Sequence, residues 1–579
     1  MDAHPWLQHY DKGVPQTINY PPVPIFYFLE ESARKYPERA CTIFKGAAIS
    51  FREMNAITDK LAAALAGLGV KKGDRVGIFI PNTPQFVMIY FGILKAGGVV
   101  VAIDSRYTAP EIVHQANDAG IETMFVMSNF YKTMKTAQPD TQIKTLIVTN
   151  IKETLPPVLK VLFTVAKEKK DGFRVELEPG DLWLNDFLAK YAPKDRPKLD
   201  IGPNDIALFQ YSGGTTGVSK AAVATHSNLV ANTMQVGSWM PNLLAGKETV
   251  LMAIPLFHVY GMVVGMLFGI YMAAPLVMVP NPRDMPDLLA NIKRFHPTVF
   301  PGIPMLYNAI NNRPEVIAGK YNLSSIKACI SGSAPLLRET KERFEALSGG
   351  KVFEGYGLSE APTATHCNPQ MGMNKTGSIG MPFPDVDAKI ISLDDSETEM
   401  KVGEIGELVV RGPQVMKGYH NMPSETTNAL RKLKDGKVWL FTGDIASMDE
   451  DGYFYIVDRK KELIKPGGEQ VWPREVEEVI AANPKVLEVG VAGIPDSLRG
   501  EVVKAWVVVK PGECLTEDEV KDWSKKSLAI YKVPRQVEFR TELPKTTVGK
   551  VLRRELIREH NEQEAKKKHN VMELPVKSL

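Results

Sequence analysis

The 579-residue chain is poor in cysteine: four residues, at positions 41, 329, 367 and 514, stand far apart. That number and spacing argue against a disulfide framework and a thiolate zinc site, and they suit a reducing compartment, so a cytoplasmic location is expected. Net charge is also scarce. The formal balance is +3, which gives no global argument for nucleic acid, and no nucleic-acid partner is expected. The N-terminus, MDAHPWLQHYDKG, lacks the basic-then-apolar pattern of a signal peptide. The chain ends Lys577-Ser578-Leu579, a permutation of the peroxisomal address and not that address. At 44% hydrophobic and 24% charged residues the composition is that of a globular protein, and the length calls for two or more domains.

Charge is missing altogether between Glu248 and Arg283, where Gly261, Gly265 and Gly269 recur every four positions. A membrane-spanning helix would show such a pattern, but Pro255, His258 and Pro275 interrupt it. A buried helix followed by a strand at Pro275–Pro280 fits better, with the small residues letting backbone or a ligand approach. A second apolar stretch, Leu155 to Lys170, turns lysine-rich in its second half. It reads as an amphipathic surface helix, either a solvated face or a peripheral contact with the inner face of a membrane.

What is abundant is alternation of helix and strand. Ser50 can cap a helix beginning at Phe51, with Met54, Leu61, Leu65 and Leu68 on one face and Gly67 and Gly69 near its end. Strand RVGIFI (75–80), a helix over 84–95 and strand VVVAI (99–103) follow. This order implies parallel sheets covered on both faces, an α/β fold.

Tyr211 to Ala222 reads YSGGTTGVSKAA after the apolar run Ile206 to Phe209. So many glycines and hydroxyls can turn several backbone N–H groups toward one anion, a phosphate cradle. The Walker A spacing is absent and Lys220 is followed by Ala221, so an ordinary P-loop is excluded. A plain Gly-rich turn between strand and helix is the competing reading. EGYGLSEA (354–361) offers an aromatic face at Tyr356 and a carboxylate, Glu360, able to hold magnesium; a Gly/Tyr turn before a helix would look the same. In TGD (442–444), Asp444 can accept two ribose hydroxyls, with Arg459 adding a donor, or the pair is a turn Asp and a surface Arg. Lys550, beside Gly549, is either a phosphate-facing ammonium or one more surface lysine.

In order and spacing, YSGGTTGVSKAA, SGSAPL (331–336), EGYGLSEA, TGD, DRKKELIK (458–465) and PKTTVGK (544–550) resemble the motifs of the adenylate-forming ligase superfamily, most like bacterial long-chain fatty acyl-CoA synthetases. The resemblance covers essentially the whole chain. It implies a large N-terminal domain of stacked α/β subdomains (1–458), a hinge (459–462) and a small, mobile α+β C-terminal domain (463–579). Lys461 stands where the hinge residue is often Asp. ATP, Mg2+ and CoA are implied as cofactor and co-substrates, with a fatty acid as substrate and a homodimer among the expected partners. The resemblance assigns the phosphates to Ser212, Gly213, Gly214, Thr215, Thr216, Gly217 and Lys220, and magnesium to Glu360 with Thr216. It gives the adenine to Ser333, Ala334, Glu354, Gly355, Tyr356 and Gly357, and the ribose and hinge to Asp444, Arg459 and Lys461. Lys550, Thr216, Glu360 and His258 are the implied catalytic set, His258 lying in PLFHVYGM (255–262) near the reacting carboxylate, with GIPMLYNAI (302–310) as the pocket helix that follows. After adenylation the C-terminal domain would rotate, withdrawing Lys550 and presenting Lys465, Gly467 and Gly468 to the pantetheine arm. An aryl- or medium-chain acyl-CoA ligase shares every motif, and a nonenzymatic nucleotide-binding homologue would share the fold. A peptide-synthetase module is disfavoured because about thirty residues follow Lys550, fewer than a domain needs.

Overall fold

A computed structural model describes residues 4–211, 219–466, 469, 471–496, 499–546 and 549–572. The helix Phe51–Leu68 begins where its sequence says: Ser50 and Glu53 exchange a capping box, and Gly69 ends it at φ 98°. Met54, Leu61 and Leu65 are buried beneath it. The helix Pro84–Lys95 packs on it and is buried along its whole length. Its terminal Lys95 is tolerated there because Asp59 Oδ1 (2.8 Å) and Asn55 Oδ1 (2.7 Å) accept from the ammonium.

These helices cover an eight-stranded sheet in the order Gly418–Tyr419, Ala221–Thr225, Ile206–Tyr211, Val99–Ala102, Arg75–Phe79, Thr123–Met127, Thr145–Thr149, Leu182–Trp183. From Ile206–Tyr211 onward every pairing is parallel, as the near-continuous Val/Ile runs require. A second sheet, Val250–Met252, Leu276–Met278, Ala40–Phe44 and Ala47–Ser50, is joined through Val299 to a third. That third sheet holds Ala328–Ser331, Lys351–Gly357, Ala364–Cys367 and Met381–Pro382. An antiparallel unit follows, built from Asp387–Ile391, Gly406–Arg411, Val438–Met448, Leu430–Lys432 and Phe454–Arg459. The chain then passes through a short 3₁₀ turn, Lys460–Glu462, into a small α+β unit. There the strands Val486–Asp496, Gly500–Val509 and Gln536–Arg540 pack with the helices Pro473–Ala481, Glu517–Lys525 and Arg553–Met572.

Four local expectations change. The glycine-rich segment is flanked by antiparallel neighbours, Ile206–Tyr211 and Ala221–Thr225, and so links two strands where a strand-to-helix turn was the plain reading. Asp444 lies inside the eleven-residue strand Val438–Met448 and is no turn residue; Gly443, at φ 71°, kinks the strand just before it. EGYG ends the strand Lys351–Gly357 and no helix follows directly. A Cβ on Gly357 would lie 1.6 Å from the Thr363 carbonyl oxygen, so glycine is required by contact.

The fourth change concerns the uncharged segment. It forms a π-helical stretch, Gly261–Leu267, continued by Phe268–Tyr271, and the expected strand at Leu276–Met278. Of the two approaches its glycines could serve, backbone or ligand, the structure shows protein packed against each. A Cβ at Gly261 would meet Pro255 O at 2.3 Å, at Gly265 the Met252 side chain at 2.6 Å, and at Gly269 Leu276 at 2.4 Å. Close helix packing is their purpose. Among the described residues no helix is long and apolar enough to cross a membrane.

Candidate functional site

The antiparallel unit supplies the best-defined part of the site. Asp444 and Arg459 are cross-strand partners, and Arg459 Nε meets Asp444 Oδ1 at 2.7 Å. From the neighbouring sheet, Tyr356 donates its hydroxyl to Asp444 Oδ2 at 2.5 Å. The kink that aims Asp444 is itself held: Glu407 Oε1 accepts the Gly443 N–H at 3.1 Å, and its Oε2 accepts Lys460 Nζ at 2.7 Å. Both carboxylate oxygens of Asp444 thus face donors, the arrangement a vicinal diol would exploit. Beside Asp444 the Arg459 guanidinium is held above its ordinary pKa by that carboxylate, and burial together with Asp444 raises the Tyr356 phenol well above its own.

Lys550 reaches this place from the C-terminal unit. Its loop is tied by Thr546 N–H to Lys550 O (2.8 Å) and by Lys550 N–H to Thr546 Oγ1 (3.1 Å). The adjoining Gly549 sits at φ 79°, where an added Cβ would lie 3.5 Å from Met305 and 3.6 Å from Ile303, so the loop rests on the start of the helix Pro304–Asn311. Burial, and then repulsion from Arg459, push the Lys550 ammonium down to about 8, against the pull of Glu462 and Asp444. Lys461 is pushed down by burial and by Arg459 and Lys220. Lys220, Arg459, Lys461 and Lys550 therefore share one field, which an anion would relieve.

Lys220 pairs with Glu425 and lies 5.3 Å over the Tyr419 ring. Tyr419 in turn donates to Glu360 Oε1 at 2.7 Å. That bond fixes one carboxylate oxygen of Glu360 and orients the other. Among the described residues no group of three or more His, Cys, Asp or Glu could hold a metal. A lone carboxylate still fits Mg2+ that arrives with phosphate oxygens and water as its other ligands. Sequence reasoning missed Tyr419 and Glu425, which lie near residue 420 with no spacing signal linking them to Glu360 or Lys220.

His258 is half-buried, and its Nδ1 accepts the Tyr260 N–H at 3.2 Å, leaving the proton on Nε2. Burial pushes its imidazole down to about 4, with Asp104 opposing, so near neutral pH it is an uncharged donor. Tyr260 anchors this loop by donating to Ile330 O (2.7 Å) and Gly302 O (3.0 Å).

Other expected residues lie on neighbouring elements. Ser333 occupies a left-handed φ of 70° in the bend after Ala328–Ser331, with Ala334 next to it. Gly355 lies in strand opposite Cys367. Glu354 is buried and accepts the Leu336 N–H at 3.4 Å; burial pushes its carboxyl up to about 7, with Arg474 opposing. Lys465 is exposed on the C-terminal unit, where its N–H donates to Glu501 at 2.9 Å. Ser212, Gly213, Gly214, Thr215, Thr216, Gly217, Gly467 and Gly468 lie outside the described residues.

An α/β body that carries the Asp444–Arg459–Tyr356 set is thus joined to a small α+β unit that lends a half-buried lysine, Lys550. The chain belongs to the AMP-binding enzyme family, whose model matches residues 29–420, with the AMP-binding enzyme C-terminal domain matching 475–550. It is 41% identical to a long-chain-fatty-acid–CoA ligase of Bacillus subtilis (strain 168) over 563 residues, 96% of this chain and 98% of the relative. It is 38% identical to a protein of the same name from Escherichia coli O157:H7 over 560 residues, 95% and 97% of the two chains. Among solved structures, ATP-bound MatB from Rhodopseudomonas palustris superposes with a TM-score of 0.79 at 27% identity, covering 93% of this chain and 99% of that one. Apo MatB from the same organism, with the same coverage and 28% identity, gives 0.68. The fold is thus α/β with a large N-terminal and a small C-terminal part.

Proposed function

We propose that the chain is an ATP-dependent acid–thiol ligase that activates a fatty acid as its acyl adenylate and passes the acyl group to CoA. The observation that carries this reading is the convergence of Lys550 with the Asp444–Arg459–Tyr356 set across the junction of the two units. A carboxylate is a poor acyl donor because oxide would have to leave. Attack of one carboxylate oxygen on the α-phosphorus of ATP breaks the α–β bond, expels pyrophosphate and gives AMP as a competent leaving group. The CoA sulfur then attacks the acyl carbon, the C–O bond to AMP breaks, and the thiol proton passes to solvent.

The protein's part in the first step is to hold two anions together and to stabilise charge on the phosphorus. Asp444 and Arg459 hold the ribose, Tyr356 and the Ser333–Ala334 bend flank the adenine, and Lys550 lies between carboxylate and α-phosphate as a compact charge. Neutral His258 donates Nε2–H to the carboxylate end. Glu360, oriented by Tyr419, would hold Mg2+, which supplies charge neutralisation on the departing phosphates. The glycine-threonine loop would grip those phosphates. For the second step the C-terminal unit, swinging at residues 459–462, withdraws Lys550 and brings the segment around Lys465 to CoA. The names of the bacterial relatives support a long-chain acid over an aromatic one.

The helix Pro157–Ala166 supports a peripheral role at a membrane. Val158, Val161, Leu162 and Val165, at i, i+3, i+4 and i+7, are 57–83% exposed, and no residue of this helix is buried. Exposed Lys160, Lys167, Lys169 and Lys170 flank the stripe, a charge pattern suited to an anionic bilayer.

Pyrophosphate release across a panel of acids, with and without CoA, tests the reading. Release that needs a long-chain acid, with acyl-CoA forming only when CoA is present, is expected; ATP turnover indifferent to the acid would end it. Vesicle flotation with Val161→Glu tests the helix, and unchanged flotation would remove it from the account.

A further inference from the structure

Arg553 stands three residues beyond Lys550 and opens the helix Arg553–Met572. A cation at that end opposes the helix dipole, so its position needs other causes. The structure supplies three carboxylates, each from a different segment. Glu477, on the helix Pro473–Ala481, takes the guanidinium in a fork, with Nε to Oε1 at 3.0 Å and Nη2 to Oε2 at 2.7 Å. Asp458, at the end of the strand Phe454–Arg459, lies 3.3 Å from Nη1. Glu462, in the connecting turn Lys460–Glu462, pairs with the same nitrogen. The Arg553 side chain is only 14% exposed and that of Asp458 2%, so these are largely desolvated contacts, in which a fork geometry counts for more than on a surface.

The geometry of the cluster is directional. Glu477 belongs to the same unit as Arg553, and its Oε1 also accepts the Val491 N–H at 2.7 Å, so this pair serves the fold of that unit. Asp458 and Glu462 belong to the other unit and the connection. Asp458 is committed on both oxygens, to the Arg459 N–H (2.7 Å) and the Arg474 N–H (2.6 Å). One guanidinium therefore ties the strand that carries Arg459 to the loop that carries Lys550.

We infer that Arg553, through Asp458 and Glu462, is a positioning residue for Lys550, holding the loop over the Asp444–Arg459 pair for adenylate formation and for that step alone. The inference rests on the ligase reading and on Lys550 acting only in the first half-reaction. The turn carboxylate of Glu462 is the separable element, because removing it leaves the Arg553–Glu477 fork intact.

The test uses the full-length enzyme and two half-reactions: pyrophosphate release from ATP and fatty acid, and acyl-CoA formation from supplied acyl adenylate. Glu462→Gln is expected to slow the first by about 10- to 100-fold, with the second unchanged and the thermal midpoint close to that of the parent. Arg553→Lys, which keeps charge and loses the fork, should fall in the same direction, rescuing part of what Arg553→Ala loses. A readout that a merely structural role would not move is the alkaline limb of the first half-reaction. The groups facing Lys550 are Arg459, Glu462, Asp444 and Arg553, and loss of the Glu462 charge should move that limb to lower pH. Equal loss of both half-reactions, or no loss in either, overturns the positioning role. If the parent enzyme makes no acyl adenylate, or if Lys550→Ala slows both steps alike, the ligase reading itself has failed, a result distinct from a Glu462→Gln variant that behaves as parent.

Discussion

The two halves of the site are built in opposite ways. Asp444, Arg459 and Tyr356 project from long strands whose register fixes them, whereas Lys550 rides a short loop stitched by an isolated bridge, Lys545 to Val551. The strand-borne groups suit contacts kept throughout a reaction, and the loop-borne group suits a contact made once. A protein that must use one nucleotide site for two unlike steps can change its chemistry by moving the loop and leaving the strands alone.

The sharpest way to break this contrast is Lys550→Ala. Pyrophosphate release should fall about 100- to 1000-fold while acyl-CoA formation from supplied adenylate stays near parent; equal losses would mean that the halves are not functionally separate. Asp444→Ala should instead lower both half-reactions, each by about 100-fold, since Arg459 and Tyr356 lose their shared acceptor, and a split effect would erase the distinction. Backbone tolerance should also differ. Gly357→Ala drives a Cβ into the Thr363 carbonyl and should lower stability by about 1–3 kcal/mol in thermal unfolding. Gly549→Ala meets only ordinary van der Waals contact, Met305 at 3.5 Å, but a left-handed φ, and about 1–2 kcal/mol is expected.

The smallest effect is on pH. Lys550 is protonated below about 8 and neutral above it. For adenylation, kcat/KM should therefore lose its cationic contribution as pH rises through that value, falling about tenfold per unit beyond it. Acyl transfer from supplied adenylate should not fall there, because the thiol becomes a better nucleophile as it ionises. A common alkaline limb for both steps would place the titrating group on the strand-borne half.

Much of this was legible from residues alone. The capping box at Ser50, the parallel core strands and the helix Pro84–Lys95 follow from local pattern, because their side chains and caps decide them within a few positions. Asp444 and Arg459 were legible as chemistry and were open to a turn-and-surface reading, since the strand that contains Asp444 is kinked at Gly443 and mimics a turn. The Tyr419–Glu360 bond, the Lys220–Glu425 pair and the Arg553 cluster were not legible. Each joins positions separated by 59 to 205 residues, and only tertiary packing brings them together. The glycines of the uncharged segment were legible in part for a related reason: spacing shows that something approaches closely, and it does not say whether the neighbour is ligand or protein.

The stitching of the second and third sheets through Val299 has a metric consequence. Val250–Met252 leads toward His258, and Ala328–Ser331 leads to Ser333; between them runs the segment through Val299, hydrogen-bonded to both neighbours at 2.9 Å (Leu251 N–H to Val299 O, Phe300 N–H to Ala328 O). Two interstrand steps of about 4.8 Å each therefore set the separation of the two loops. The sheet works as a ruler that holds the His258 and Ser333 loops at a fixed spacing, and on the ligase reading proposed above that spacing would part the carboxyl end of an acyl adenylate from its purine. Lengthening the acid would extend the ligand off the end of that ruler without altering the graduation that matters for bond making.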